Sequence, residues 1–199
     1  MYRDSIYNRG RARMEHLGTK RIETERLILR PFCMEDAGDM YQNWASDDEV
    51  TKFLTWPTHD SVEVTKAVLA DWTSHYEEKN YYQWAIVQKG EREAVIGSIA
   101  AVHLNDRIRM VHIGYCIGRN WWHQGIMSEA LSAVIRFFFA EVRVNRIETR
   151  HDVDNANSGR VMKKCGMQYE GTKRQADWNN QGICDIAEYA ILAEDFFER

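Results

Sequence analysis

The stretch from Arg109 to His151 constrains the fold more than any other. Val111, Ile113, Tyr115 and Ile117 alternate with His112, Gly114 and Cys116, the period-2 pattern of a strand whose two faces differ. Gly118 to Gly125 interrupts the pattern. Met127, Ala130, Leu131, Val134, Ile135 and Phe138 then recur at helical spacing, which predicts a helix over about 126–141. Arg146–His151 is again strand-like. A strand, a glycine-bearing turn, an amphipathic helix and a second strand make a βαβ unit. Its two strands lie parallel, and a ligand belongs at the carboxyl end of the first.

The rest of the chain extends this unit into one mixed sheet. Strands are expected at 22–29, 83–88, 94–104, 167–175 and 183–192, with helices at 35–45, 61–79 and 158–164. A hairpin turn is expected at Lys89–Arg92 and a loop at 176–182. The 199 residues hold 44% apolar and 28% charged side chains, with two prolines and no Gly/Ser-rich linker, so we expect a single domain over 22–199. Residues 1–21 carry six basic and two acidic side chains and are expected to form a basic N-terminal extension. The chain as a whole is at −4, which argues against nucleic acid as a general partner. No apolar run is long enough to span a membrane. Cys33, Cys116, Cys165 and Cys184 form no C-x-x-C pair, so no metal site is expected. With no secretory signal visible, a cytoplasmic location with reduced thiols is expected.

The chemistry should sit in Ile117-Gly118-Arg119-Asn120-Trp121-Trp122-His123-Gln124-Gly125-Ile126-Met127-Ser128-Glu129. A helix begins with unpaired amides and a partial positive charge, which suit a phosphate or pyrophosphate. Gly125 lets the backbone approach such a group. The same residues also fit an ordinary tight turn, and the segment alone does not decide between the two.

Four stretches in order resemble the GNAT acetyltransferase superfamily, in its branch of ribosomal-protein N-terminal alanine acetyltransferases. They are TERLILRPF (24–32), VIGSI (95–99), IGYCIGRNWWHQGIMSEAL (113–131) and RIETRHDVDNANSGRVMKKCGMQYEGT (146–172). The resemblance runs from Thr24 to Tyr189. One feature departs from the general pattern. Where the superfamily has Gln/Arg-x-x-Gly-x-Gly/Ala, this chain has Trp122 first and Met127 last around Gly125, a form that branch often shows.

The resemblance implies an α/β (α+β) acyl-CoA N-acyltransferase fold, a mixed and mostly antiparallel sheet flanked by helices. It also implies transfer of acetyl from acetyl-CoA to an amine by direct attack. The cofactor side would comprise Cys116, Ile117, Gly118, Trp122, His123, Gln124, Gly125, Ile126, Met127, Ser128, Asn155, Asn157 and Ser158. A backbone N–H near Cys116 or Ile117 would polarise the thioester carbonyl. Ser158 matches the position that protonates the departing thiolate and Asn155 one that contacts the CoA arm. Asn155 or Asn157 equally suits a helix cap. His112 and Glu170 are the candidate bases, each also explicable as a structural residue, and a water chain is the alternative. Trp56, Trp84 and Trp178 are the candidate acceptor contacts. The acceptor is expected to be a peptide N-terminus or a small amine, a wide cleft favouring the first and a closed aromatic pocket the second. A non-catalytic CoA-binding or assembly module is the remaining reading, and exposed strand edges in this fold allow a homodimer.

Overall fold

The computed structural model describes residues 13–90 and 93–198. Among the described residues, eight strands form one sheet: β1 (Ile22–Glu23), β2 (Leu27–Arg30), β3 (Gln83–Gln88), β4 (Ala94–Asn105), β5 (Met110–Ile117), β6 (Arg146–Asp152), β7 (Gln168–Asn179) and β8 (Gly182–Leu192). Their order is β1-β2-β3-β4-β5-β6-β8-β7. Neighbours pair antiparallel except β5 and β6, which are parallel. A parallel pair needs a crossover, and the long apolar stripe after Gly125 supplies it.

The helices are α1 (Ala37–Met40), α2 (Asp48–Thr51), α3 (Val62–Ser74), α4 (Ile126–Phe137), α5 (Ala156–Lys164) and α6 (Ala193–Phe197). The helix expected over 35–45 is a composite: a 3-10 turn at Met34–Asp36, then α1, then a π turn at Tyr41–Ala45. The strand expected over 22–29 breaks at Thr24. Its N–H bonds to Leu27 O and its hydroxyl accepts from Leu27 N, both at 3.0 Å, turning the chain back on itself. The loop expected at 176–182 shrinks to a tight connection, because Asp177, Trp178 and Asn179 pair with Cys184, Ile183 and Gly182. The hairpin turn expected at 89–92 includes residues 91 and 92, which lie outside the described residues.

Two apolar layers flank the sheet. On one side α4 packs Leu131, Val134 and Ile135 against Val111, Ile113 and Ile147. On the other, Trp44 and Leu69 cover Ile28, Val87 and Val95, and Cys116 joins that layer. The two faces of β5 therefore serve different cores, as its alternation requires. The chain already belongs to this body at Met14, which is buried in the first layer, and Glu15 N–H bonds Val142 O at 2.8 Å. The extension expected over 1–21 is thus packed from Met14 onward, and residues 1–12 lie outside the described residues.

Candidate functional site

β5 and β6 hold together only at Met110–His112 and Arg146–Glu148. Beyond that point Ile113 to Ile117 pair with β4 alone, and Thr149 to Asp152 with β8 alone. The parted strands open a cleft of about 360 Å³, a volume suited to a small-molecule ligand. Gly118 N–H bonds Ile96 O at 2.9 Å on the β4 side. Backbone directions alternate along a strand, so the N–H and C=O of Ile117 turn toward the opening. Trp122 Nε1 takes that carbonyl at 2.9 Å, leaving the Ile117 N–H facing the cleft.

The loop after β5 is shaped by close approach and by left-handed backbone. A Cβ on Gly118 would lie 2.5 Å from Asn43 O and 2.9 Å from the Trp121 ring, so only glycine fits. Trp121 Nε1 anchors on Gln88 Oε1 at 2.8 Å. His123 (φ 59°) and Gly125 (φ 74°) both adopt left-handed conformations, His123 at a steric cost. Gly125 stands at the N-cap of α4 without a side-chain cap, so the first amides of the helix are left for another acceptor. Two cations flank it: a Cβ on Gly125 would be 3.4 Å from Lys164 Nζ and 3.7 Å from Arg26 Nη2.

Glu129 holds Arg26 there. Its carboxylate accepts from Arg26 Nε (2.7 Å), Arg26 N (2.9 Å) and Thr24 Oγ1 (2.6 Å), while Arg26 Nη1 reaches Gln124 O at 3.1 Å. Burial pushes the Glu129 pKa up, but these bonds outweigh it and hold the group below the usual carboxylate value. Glu129 thus ties the β1–β2 turn to the start of α4.

Across the cleft, Asn155 caps α5, its Oδ1 accepting from Ser158 N at 3.3 Å. Ser158 Oγ lies 3.0 Å from Tyr115 OH, whose pKa is raised by burial. Cys116, Ile117, Trp122, His123, Gly125, Ile126, Met127, Ser128, Asn155, Asn157 and Ser158 all line the cleft, whereas Gly118 and Gln124 are not in its lining. Arg160, Lys164, Tyr115, Glu49 of α2 and Phe53 just after it line it as well. Arg160, Lys164, Tyr115 and Glu49 were not singled out as site residues from the sequence, since their approach depends on contacts across the fold. Among the described residues, no three His, Cys, Asp or Glu side chains are placed to hold a metal, and no helix is long and apolar enough to cross a membrane.

Several expected site residues lie elsewhere. Trp84 is fully buried, its ring packed on Tyr82, Phe137 and Phe138 and its Nε1 donating to Lys20 O at 2.6 Å, so it has no surface to offer an acceptor. Glu170 is clamped by the Arg146 guanidinium at the amino end of β6, the end away from the cleft. That pairing holds its carboxyl below the usual range, the wrong direction for a base. His112 faces the opposite side of the sheet from Tyr115 and does not line the cleft. Burial first, then Arg150, lowers its pKa. Trp56 and Trp178 also stand outside the lining.

A mostly antiparallel sheet that parts at its one parallel pair, beside an uncapped helix start flanked by cations, defines the N-acyltransferase class. The chain belongs to the GNAT acetyltransferase family: the family's "Acetyltransferase (GNAT) domain" matches residues 26–168. It is 32% identical over 171 residues to the uncharacterized N-acetyltransferase YoaA of Bacillus subtilis, covering 86% of this chain and 96% of that one. It is 27% identical over 143 residues to the ribosomal-protein-serine acetyltransferase of Escherichia coli, covering 71% and 78%. The crystal structure of a GNAT-family acetyltransferase from Bacillus anthracis superposes with a TM-score of 0.77 at 26% identity, covering 88% of this chain and 99% of that one. The protein is an acetyl-CoA-dependent N-acetyltransferase.

Proposed function

We propose that the enzyme acetylates the N-terminal amine of a protein or peptide. The observation that carries this reading is that none of the three tryptophans expected on the acceptor side lines the cleft. Trp84 is in the core, and Trp56 and Trp178 stand outside the lining. Its wall is instead the segment 49–54, with Glu49 as the acidic side chain of the lining, suited to draw in an ammonium group. The likeness to a ribosomal-protein-serine acetyltransferase supports the same acceptor class.

The chain's residues fit acetyl-CoA. The amides from His123 to Ser128, with Lys164 and Arg26 beside Gly125, form a cradle for the pyrophosphate. The free edge of 113–117 pairs with the pantetheine arm, and Asn155 and Asn157 flank it. Bound acetyl-CoA supplies the activated acyl carbon. The Ile117 N–H polarises the carbonyl of that group, and Ser158 serves the departing sulfur. The candidate bases His112 and Glu170 lie outside the lining, so in this reading the amine loses its proton to water in the cleft. A cytoplasmic location, where thiols stay reduced, belongs to the same reading, and the exposed edge strand β7 offers a pairing surface to a second copy.

The test is CoA release with N-terminal peptides against small amines of equal concentration. Turnover confined to peptides supports the reading. Turnover confined to polyamines, amino acids or an antibiotic overturns the acceptor assignment.

A further inference from the structure

The cleft holds a hydroxyl pair of which the account above uses only Ser158. Tyr115 lies in the open stretch of β5, and its side chain crosses the gap between the strands to α5. There its hydroxyl is 3.0 Å from Ser158 Oγ and 3.3 Å from Ser158 O. The Ser158 carbonyl needs no help from this contact, because Ser158 lies in the first turn of α5, where the helix's own N–H groups take its carbonyls. What remains undetermined without Tyr115 is the direction of the serine hydroxyl. A serine O–H is a rotor with one donor and two acceptor sites. If the phenol donates to Oγ, the serine hydrogen must point to another partner, and the side open to it is the cleft that both residues line.

We infer that Tyr115 is a positioning residue: it donates to Ser158 Oγ and so aims the Ser158 O–H at the sulfur that leaves the acyl group. The inference rests on the acetyl-transfer reading. As the C–N bond forms and the C–S bond breaks, the electron pair departs on sulfur. Ser158 gives its proton to that sulfur, and the proton lost by the attacking nitrogen restores the hydroxyl through cleft water. No proton is left over, and none is taken from Tyr115. The phenol is suited to that constancy, since its burial disfavours the tyrosinate.

Losing the aim spreads the hydroxyl over three staggered positions, and losing the polarising bond weakens it as a donor. Together these should lower kcat about tenfold. The experiment uses the full chain with acetyl-CoA and the best acceptor of the amine panel, comparing wild type, Tyr115→Phe, Ser158→Ala and the double variant. We expect Tyr115→Phe to lose about tenfold in kcat with the KM for acetyl-CoA within about twofold. Ser158→Ala should lose about 10²-fold, and the double variant no more than Ser158→Ala alone. An unchanged kcat in Tyr115→Phe overturns the inference. So does a Tyr115→Phe loss that is as large in the Ser158→Ala background as in wild type, because the tyrosine would then act independently of the serine. Should Tyr115→Phe fold poorly, 3-fluorotyrosine at position 115 keeps the ring and hydroxyl and changes chiefly the acidity. A kcat that responds while the melting temperature holds supports the inference, and a kcat that does not respond overturns it. A wild type that neither binds acetyl-CoA nor releases CoA instead overturns the underlying reading.

Discussion

Replacing Gly118 by alanine tests how the cofactor loop is seated. Gly118 has φ −56° and ψ 144°, a conformation that any residue adopts, so alanine brings no backbone strain there. The effect must come from contact. The new methyl would sit 2.5 Å from Asn43 O and 2.9 Å from two ring carbons of Trp121. Neither neighbour yields easily. Asn43 lies in the π turn and its Nδ2 bonds Val95 O at 2.7 Å, while Trp121 is tied to Gln88. Overpacking of this kind costs about 1–3 kcal/mol. For a domain of this size that is a fall of roughly 2–12 °C in Tm. The loop begins here, with Trp121 N–H bonded to Gly118 O at 3.0 Å, so its displacement should also weaken acetyl-CoA binding about tenfold or more. Urea unfolding gives the first quantity and calorimetric titration the second. Gly38→Ala is the control: it is helical with open space around it and should stabilise by about 0.5–1 kcal/mol. If Gly118→Ala matches wild type within about 0.5 kcal/mol and binds acetyl-CoA equally well, the loop is not seated against Asn43 as described.

Gly125→Ala meets no hard contact but must hold φ 74°, so it should lose about 1–2 kcal/mol, measurable by urea unfolding. Glu129→Gln should flatten the acid limb of the stability curve. The folded pKa of Glu129 lies below the ordinary 4.5, so its contribution is present above that pH and is lost as pH falls through the folded value. Thermal melts at stepped pH check this. Trp84→Ala should destabilise by about 3–5 kcal/mol, as for a buried aromatic, whereas Trp178→Ala, at a side 56% exposed, should leave Tm nearly unchanged. His112→Gln should keep most of kcat, because the side chain does not line the cleft; a loss of 10²-fold or more in the initial rate would restore it as a base.

How far the sequence discloses this arrangement depends on the range of the interaction. The β5–turn–α4–β6 unit is legible because its signals are local: alternation, then glycine, then a helical stripe. The parting of β5 from β6 is not local, and no short-range pattern announces it. Trp84 looked like a cleft residue because β3 is buried on both faces, so alternation carries no information about which way its side chains point. Glu170 looked like a free acid because Arg146 lies 24 positions away. Arg26 and Lys164 converge on Gly125 from opposite ends of the domain, and no short-range pattern brings them together. Asn155 shows how two readings of one residue coexist: it caps α5 and also lines the cleft.

The most direct test of the central claim is the melting temperature with and without acetyl-CoA, in wild type and in Gly125→Glu. Ligand at 100 times its Kd should stabilise the wild type by about 2.7 kcal/mol, a rise of roughly 5–10 °C. A glutamate at this position adds a carboxylate beside Lys164 and Arg26, where the cradle is proposed to take a pyrophosphate, and should abolish the rise. An unshifted wild type at millimolar acetyl-CoA, or an equal rise in both proteins, would contradict the assignment of the parted strands and the Gly125 turn as the acetyl-CoA site.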